Sequence, residues 1–343
     1  MKFLRVKPLL TIALATLAMA GNAAAQSMLN YKGADRQQQL IAAAKKEGTL
    51  TLYTAISNPI ALKMMSEFEA KYGISVKLYR AGDRAVLQKV MAERSGNRPV
   101  ADVIAIGAIE MEMALREKLL EPVKTDLHDG LMKNAVGPKN EYVTIFVNPI
   151  VQAYNTNTVK KEDLPKTYQD LLDPKWKGRL GVEATDEEWF YGLVTTMGEA
   201  QGLKYFRDLV ATNKPSVRTG HSLLGNLVAS GEVPLGLTVY AHIVIAARKK
   251  GAPIDYTLLE PVVGMAFGMG LAKLAPHPNA ALLFYEFMLA DGQKIFAESD
   301  YTPTLKSIDT PFKNVPLLIS NKPTFVEQNA KWSKLFDEIV KQK

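Results

Sequence analysis

Polar and aromatic side chains stand at the points where predicted strands give way to predicted helices, and these residues could bind a ligand. In open α/β sheets such loops meet at one edge, where helix N-termini present free N–H groups and partial positive charge. We expect a small molecule to bind at this edge. The candidate ligand-binding residues are Ser57, Asn58, Arg80, Thr185, Asp186, Trp189, His221, Ser222 and Tyr240.

The first half of the chain offers one guanidinium and two small polar side chains. Arg80 ends a predicted strand, where it can hold a carboxylate or phosphate through two parallel hydrogen bonds, although a surface ion pair is an equally good use for it. Asn58 precedes Pro59 and is suited to cap a helix without any ligand. Ser57 and Arg80 are therefore the preferred candidates in this half.

The second half carries acidic and aromatic candidates at one predicted helix start. Thr185 and Glu188 match a capping box, in which side chains and backbone N–H groups exchange hydrogen bonds. Asp186 and Glu187 would repel an anion, so they favour a cationic or hydroxyl-rich ligand if they face the site. Trp189 could stack on a ring or a cation, and burial in a core is the alternative.

Three further candidates follow apolar segments later in the chain. His221 and Ser222 open a predicted helix, where His221 could donate to an anion, and the Tyr240 phenol can both donate and accept. His242 lies close by and is interpreted as structural. The chain has four histidines, and their spacing predicts no metal cluster. We expect neither a metal site nor a cofactor.

The motifs of common enzyme classes are missing from the sequence. It contains no cysteine, no His-Glu-x-x-His, no Gly-x-Ser-x-Gly and no phosphate-binding Gly-x-x-x-x-Gly-Lys. Glycines 264, 268 and 270 do not have the spacing of a dinucleotide fingerprint. We therefore expect a binding protein that is not an enzyme.

Residues 1–25 have the pattern of a secretory signal peptide. Lys2, Arg5 and Lys7 precede an apolar run over residues 8–20, and three alanines precede Gln26. Cleavage would remove three cations and no acid, so the formal charge would fall from +7 to +4. Without cysteine there is no lipid attachment site and no disulfide. These features predict a periplasmic protein that is not a lipoprotein, and the mild, unclustered charge excludes a nucleic-acid partner.

Strand-like and helix-like segments alternate along the chain, which predicts α/β architecture. The first series ends near residue 120, a β-like stretch with Asn148-Pro149 crosses to a second series that begins near residue 179, and a glycine-rich return strand spans residues 263–271. Two later helices, 278–289 and 292–298, are expected to pack on the first core. About 318 residues after cleavage are enough for two domains.

Several segments, in this order and spacing, resemble the type 2 periplasmic solute-binding proteins of ABC importers, a group that includes ferric-ion, hexose-phosphate, thiamine and phosphonate binders. The segments are LYTA at 52–55, PVADV at 99–103, DPKWKGR at 173–179, VASGEVPLG at 228–236 and HPNAA at 277–281.

The resemblance implies two doubly wound α/β domains joined by two crossing strands, with a ligand cleft between them. The expected first domain comprises residues 26–145 and 265–343, and the expected second domain comprises residues 146–264. The domains would close on a small-molecule solute about strands near Val147 and Gly264. The expected partners are an inner-membrane permease and its cytoplasmic ATPase, and the default oligomeric state is a monomer.

Three functions remain open for such a protein. Net charge, helix N-termini, Arg80 and His221 favour a small anionic solute such as a phosphonate, a phosphate ester or an organic carboxylate. Ferric-ion or other cation binding is the first alternative. Iron binders of this group use a tyrosine pair at the place where this chain has Val239-Tyr240, so one phenol is expected there. Presentation of a ligand to a sensor is the second alternative.

Overall fold

The computed structural model describes residues 28–29, 31–320 and 322–342. The predicted signal peptide, residues 1–25, and its cleavage point lie outside the described residues. Within the described part of the chain, no helix combines the length and the apolar character needed to cross a bilayer.

The first part of the chain alternates helix and strand, as the sequence predicts. Strands β2, β1 and β3 lie in that order and run parallel. The elements are α1 (Arg36–Glu47), β1 (Thr49–Thr54), α2 (Asn58–Tyr72), β2 (Ser75–Arg80), α3 (Asp83–Ser95), β3 (Val103–Gly107), α4 (Ala108–Arg116) and β4 (Leu120–Glu121).

Helix α2 shows why these segments fold locally as they do. Ile60, Met64, Phe68 and Tyr72 recur every four residues and are buried on one face. Ser57 occupies the N-cap position, and Asn58 is already inside the first turn. The prediction that Asn58 caps the helix is therefore wrong by one residue. The N–H groups of the first turn have no partner within the helix, so Pro59 is tolerated at its second position as well as at its first.

Helices cover both faces of the first sheet. Val103 and Ala105 of β3 point into a core with α2, whereas Ile104 and Ile106 point into a core with α3 and α4. This alternation is the period of two expected for a strand buried on both faces.

Two long strands lie side by side where the two sheets meet, and the first of them along the chain belongs to both sheets. Strand β5 (Val143–Asn155) pairs antiparallel with β10 (Val262–Ala272) from Val143 to Pro149. Beyond Pro149, β5 pairs instead with β8 and β9 of the second sheet, while β10 pairs along its other edge with β3. The crossing predicted near Asn148-Pro149 is therefore the point where β5 passes from one sheet to the other.

The second sheet has the order β5-β8-β6-β7, with β6 parallel to both of its neighbours. Ile150 and Tyr154 of β5 face one core, and Val151 and Ala153 face the other. The elements are β6 (Leu180–Glu183), α5 (Glu187–Met197), α6 (Glu199–Asn213), β7 (Ser216–Arg218), α7 (His221–Ser230), β8 (Leu235–Tyr240), α8 (Ala241–Lys249) and β9 (Ile254–Thr257).

The chain returns to the first core after β10. Helices α9 (Pro278–Leu289) and α10 (Gly292–Glu298) bury Phe284 and Phe296 there, as the sequence predicts. Two short strands follow, β11 (Thr302–Pro303) beside β5 and β12 (Leu317–Leu318) beside β10.

The last helices, α11 (Lys322–Glu327) and α12 (Asn329–Phe336), differ from the expected division of the chain. That division placed residues 265–343 with the first domain, but Phe325, Trp332 and Phe336 are buried in the second core. Trp332 and Phe336 lie one helical turn apart, so a single face of α12 presents both rings to Phe190, at centroid distances of 6.3 and 5.6 Å.

Helix α11 also connects the two halves of the molecule. Lys322 forms a buried ion pair with Glu188 of α5. On the other side, the Arg116 guanidinium of α4 donates to the Pro323 carbonyl at 3.0 Å and to Glu327 at 3.1 Å. Helix α11 thus contacts α5, beside the second core, through a buried ion pair, and it contacts α4, beside the first sheet, through exposed hydrogen bonds.

Asp102, within the segment at residues 99–103, connects three elements of the first sheet and its core through buried hydrogen bonds. Its buried carboxylate accepts hydrogen bonds from the Thr51 backbone N–H at 2.7 Å, the His277 backbone N–H at 2.6 Å and His277 Nδ1 at 2.9 Å. It therefore joins β1, β3 and the start of α9, and its role is structural.

We expect Asp102→Asn to lower the free energy of unfolding by about 3 kcal/mol, because the amide places a donor against buried donors. Urea unfolding of the mature protein measures the change. The exposed Asp126 provides a matched control, since Asp126→Asn should alter stability by less than about 0.5 kcal/mol. A loss in the Asp102 variant no larger than in this control would contradict the assignment.

Candidate functional site

A cleft with a volume of about 590 Å³ opens where the two sheets meet. Loops after β1, β2 and β3 form what we call the first wall (residues 55–57, 80–84 and 107–113), and loops after β6, β7 and β8 form the second wall (residues 185–188, 220–222 and 240–243). Phe146, Asn148 and residues 265–267 of the crossing strands lie between the walls. The carboxyl ends of parallel strands from both units thus meet at one cavity.

Six of the predicted residues line this cleft: Ser57, Arg80, Thr185, His221, Ser222 and Tyr240. Asn58, Asp186 and Trp189 do not. Asn58 is exposed at the start of α2, and Asp186 is only 1 % exposed beneath the second wall.

Trp189 lies in the second core, which corrects the expectation that it stacks on a ligand. It is 1 % exposed and packs edge-on against Phe206 at a centroid distance of 5.3 Å. Helix α5 is buried at every position from Glu188 to Val194, so the indole at its first turn is enclosed by the core. Burial, the alternative weighed for Trp189, is what the structure shows.

The first wall carries both signs of charge. Arg80 Nε donates to the Ile56 carbonyl at 3.1 Å, which orients the guanidinium beside Ser57. Asp83 Oδ1 accepts from the Gly107 N–H at 2.6 Å and so connects two loops of the wall. The fixed guanidinium is an anchor suited to an anionic group.

Glu110 adds a titratable acid to the same wall. Burial raises the pKa of Glu110 to about 7, and the charge of Asp83 adds to the rise, while Arg84 opposes it. Arg84 itself lines the cleft and is exposed. The first wall therefore presents two guanidinium groups and two neighbouring carboxyl groups.

The second wall holds a buried carboxylate at the position where an anionic ligand would be expected. Glu183 accepts hydrogen bonds from the Gly220 N–H at 2.8 Å, the Thr185 N–H at 2.5 Å and the Thr185 hydroxyl at 2.7 Å. These loop donors are therefore already used by the protein's own acid. The capping box predicted for Thr185 and Glu188 is wrong, because Thr185 serves Glu183 and Glu188 pairs with Lys322.

Asp186 and His221 face each other beneath this wall. His221 Nδ1 lies 3.0 Å from the Thr238 carbonyl oxygen, and His221 Nε2 lies 3.4 Å from Asp186 Oδ1. Burial raises the pKa of Asp186 to about 7, with nearby Glu183 adding to the rise, whereas His221 opposes it. Both ring nitrogens of His221 are therefore in contact with protein atoms, and a hydrogen bond from His221 to an anion, as predicted, would have to replace one of these contacts.

Four rings stack in a row across the cleft. His221 lies on Tyr240 with centroids 3.8 Å apart, Tyr240 and His242 are 5.7 Å apart, and His242 lies on Tyr301 at 4.1 Å. The first three rings belong to the second unit, while Tyr301 precedes β11 of the first. A hydrogen bond with Ser57 opposes the rise that burial causes in the pKa of Tyr301. The row thus links the two walls.

Sequence reasoning missed several residues of the cleft. Arg84 and Glu110 stand in first helical turns directly after predicted strands, so the signal that identified Arg80 was also present for them. His242 was interpreted as structural although it lines the cleft beside Tyr240. Tyr301 and Phe325 come from the last part of the chain, where no strand-to-helix loop marks them.

His242 should make the folded protein sensitive to acid. Burial lowers the pKa of His242 from 6.5 to about 4, and His221 adds to the shift. Between these pH values the unfolded chain binds a proton that the folded chain does not, so stability falls as the pH drops from 6.5 to 4, by at most about 3 kcal/mol. We expect His242→Phe, which retains a ring against Tyr301, to lose less stability across this range. Parallel unfolding free energies for the two proteins from pH 8 to 4 would contradict this.

Comparisons with known proteins agree with this architecture. Iron uptake protein A1 of Synechocystis sp. (strain ATCC 27184 / PCC 6803 / Kazusa) is 24% identical over 273 residues, which cover 74% of each chain. The major ferric iron-binding protein of Neisseria meningitidis serogroup B is 29% identical over 270 residues, which cover 74% of this chain and 80% of that protein.

Solved structures show the same fold. Iron-bound HitA from Pseudomonas aeruginosa superposes with a TM-score of 0.75 at 23% identity, covering 85% of this chain and 99% of that one. The periplasmic binding protein AfuA from Actinobacillus pleuropneumoniae, solved with fructose-6-phosphate, gives 0.72 at 21% identity, covering 87% and 100%. The predicted fold class is confirmed. A family model described as bacterial extracellular solute-binding protein matches residues 98–330, and the chain belongs to that family.

Proposed function

We propose that this protein captures a small solute in its cleft and delivers it to the inner-membrane permease of an ABC importer, whose cytoplasmic ATPase drives transport. The observation that carries the proposal is a single cleft lined by strand ends from both units. The protein would act in the periplasm as a monomer, after signal-peptide cleavage and without a lipid anchor, and would perform no chemistry on the solute. Among its relatives, one is named as an iron uptake protein and another as a ferric iron-binding protein.

Two units that move against each other explain how capture would work. We propose residues 26–145 with 265–320 as the first unit and residues 146–264 with the last helices as the second. The crossing strands β5 and β10 then form the hinge, near Val147 and its paired residue Ala266. Solute bound to one wall would draw the other wall over it, since binding energy favours whichever state makes more contacts.

The charges of the two walls set the chemistry of the proposed solute. Arg80 and Arg84 suit an anionic group, namely a carboxylate, a phosphate ester or a phosphonate. The second wall suits the uncharged or cationic end of the solute. Its loop N–H groups already donate to Glu183, and the acid Glu187 lines the cleft. We infer a small solute with an anionic group at one end and hydroxyl or amino groups at the other.

Melting shifts with fructose-6-phosphate, 2-aminoethylphosphonate and citrate would identify the class of solute. For the ligand that stabilises most, we expect Arg80→Gln to weaken binding about 30-fold, or ~2 kcal/mol, through loss of a charged hydrogen-bond pair. Arg98 is an exposed arginine outside the cleft, so Arg98→Gln is the control and should bind normally. Equal affinities of the two variants for the ligand would show that Arg80 does not bind its anionic group.

Closure itself can be measured by small-angle X-ray scattering. Saturation with the stabilising ligand should reduce the radius of gyration, because the walls approach each other about β5 and β10. A profile unchanged by a ligand bound with micromolar or better affinity would overturn the hinge mechanism, while leaving solute binding itself intact.

Ferric-ion binding is the second candidate, and one observation favours it. The sequence predicts one phenol in the cleft, but both Tyr240 and Tyr301 line it, with the acids Asp83 and Glu110 nearby. Phenolates and carboxylates are hard anionic ligands that suit a trivalent cation. Proteins named for iron binding are among the relatives.

Titration with ferric citrate separates the two candidates. Iron held by phenolates would give a visible charge-transfer band, and both Tyr240→Phe and Tyr301→Phe would weaken it. Stabilisation by an organic anion, without such a band, would exclude the ferric function.

A further inference from the structure

We propose that Glu183, Asp186 and His221 form a binding site for a divalent transition-metal ion in the second wall. One ligand atom from each of these side chains lies within 4.8 Å of the other two. Glu183 ends β6 and Asp186 precedes α5 on the same loop, and His221 opens α7, so two separate loops converge on the cluster. The three ligands all belong to the second unit, and neither Arg80 nor the phenols Tyr240 and Tyr301 are among them.

Asp186 is the observation that points to a bound cation. Its side chain is 1 % exposed, and neither carboxylate oxygen accepts a hydrogen bond of acceptable geometry from any residue in the described part of the chain. The Thr238 hydroxyl accepts from the Glu183 N–H at 2.8 Å and keeps its own proton, which lies near Asp186. One neutral hydroxyl proton cannot serve both oxygens of a buried carboxylate, whose charge is costly unless a positive charge lies beside it.

His221 presents a lone pair to that carboxylate. A carbonyl oxygen only accepts, so the contact of 3.0 Å between Nδ1 and the Thr238 oxygen places the imidazole proton on Nδ1. In the neutral form of the ring, the bare Nε2 faces Asp186 Oδ1, 3.4 Å away. The lone pairs of these two atoms repel each other in that form, and a cation between them would attract both. Metal-binding histidines commonly donate their other N–H to a backbone carbonyl in this way.

Glu183 supplies the third ligand in a fixed orientation. Its oxygens accept three hydrogen bonds from Gly220 and Thr185, but each carboxylate oxygen has two lone pairs and retains capacity for a metal. Such supporting contacts hold ligand carboxylates in place at metal sites. The neighbouring Gly220 and Thr185 both line the cleft, as does His221, so solvent and ions can enter.

The donor set indicates which metals fit. Two carboxylates and one imidazole suit Zn²⁺ or Mn²⁺, whereas Ca²⁺ and Mg²⁺ prefer oxygen ligands alone. Three protein ligands also leave a coordination position for water or for a group of the solute.

Calorimetric titration of chelator-treated mature protein with ZnCl₂ and with MnCl₂ tests the site. We expect one ion per chain for at least one of the two metals, and at least tenfold weaker binding in Asp186→Asn. Asp129→Asn is the matched control, because Asp129 is an exposed acid beside another histidine, His128, and it should bind as the wild type does. Absence of binding by the wild type, or equal binding by Asp186→Asn, would overturn the proposal.

A measurement on the unaltered chain decides the matter if Asp186→Asn fails to fold. In the imidazole region of a ¹H–¹⁵N spectrum, substoichiometric Mn²⁺ should broaden the His221 signals before those of His128 and His277. Broadening of other histidines with His221 unaffected would mean that the ion binds elsewhere, and the proposal would fall. If no organic solute or iron binds but Mn²⁺ broadens His221, the metal site stands and the proposed function fails.

Discussion

Strand β5 pairs with β10 along its first half and with β8 of the second sheet along its second half, while the other edge of β10 pairs with β3 of the first sheet. This shared strand constrains the rest of the molecule, since it connects the two sheets and determines which strand ends face each other. The walls of the cleft are loops whose positions follow from those strand ends. Residues at the crossing, including Asn148 and Phe267, become the surface between the walls. Architecture and site therefore have one physical origin.

The two walls use the same local geometry for opposite purposes. Loops between strands and helices offer free N–H groups, which in the first wall lie beside two arginines. In the second wall Glu183 accepts from the equivalent donors, and Asp186 is buried behind it. An internal carboxylate converts a surface suited to anions into one suited to cations and hydroxyl groups. The two walls consequently suit opposite ends of the proposed solute, which would bind in one orientation.

The sequence predicted what local periodicity controls and missed what long-range contacts decide. Strict alternation of strands and helices located the loops, and with them Ser57, Arg80, His221, Ser222 and Tyr240. The capping box failed because Lys322, 134 residues away from Glu188, takes that acid for a buried ion pair. Tyr301 reaches the cleft because Thr302 pairs with Val147, a register that no local pattern encodes. The position of Trp189 in the core could not be predicted locally, because it results from other segments that bury α5 from Glu188 to Val194.

Helix α11 limits how the molecule can move. Its contact with the second unit, Lys322 with Glu188, is buried, but Arg116 and Glu327 on the side of the first unit are exposed. In the proposed hinge motion, the solvated contacts between α11 and α4 would be the weaker ones. The exposed pair is screened by dissolved ions, and the buried pair is not. For the proposed hinge, higher ionic strength would therefore favour the open form, and capture would become sensitive to the salinity of the surroundings.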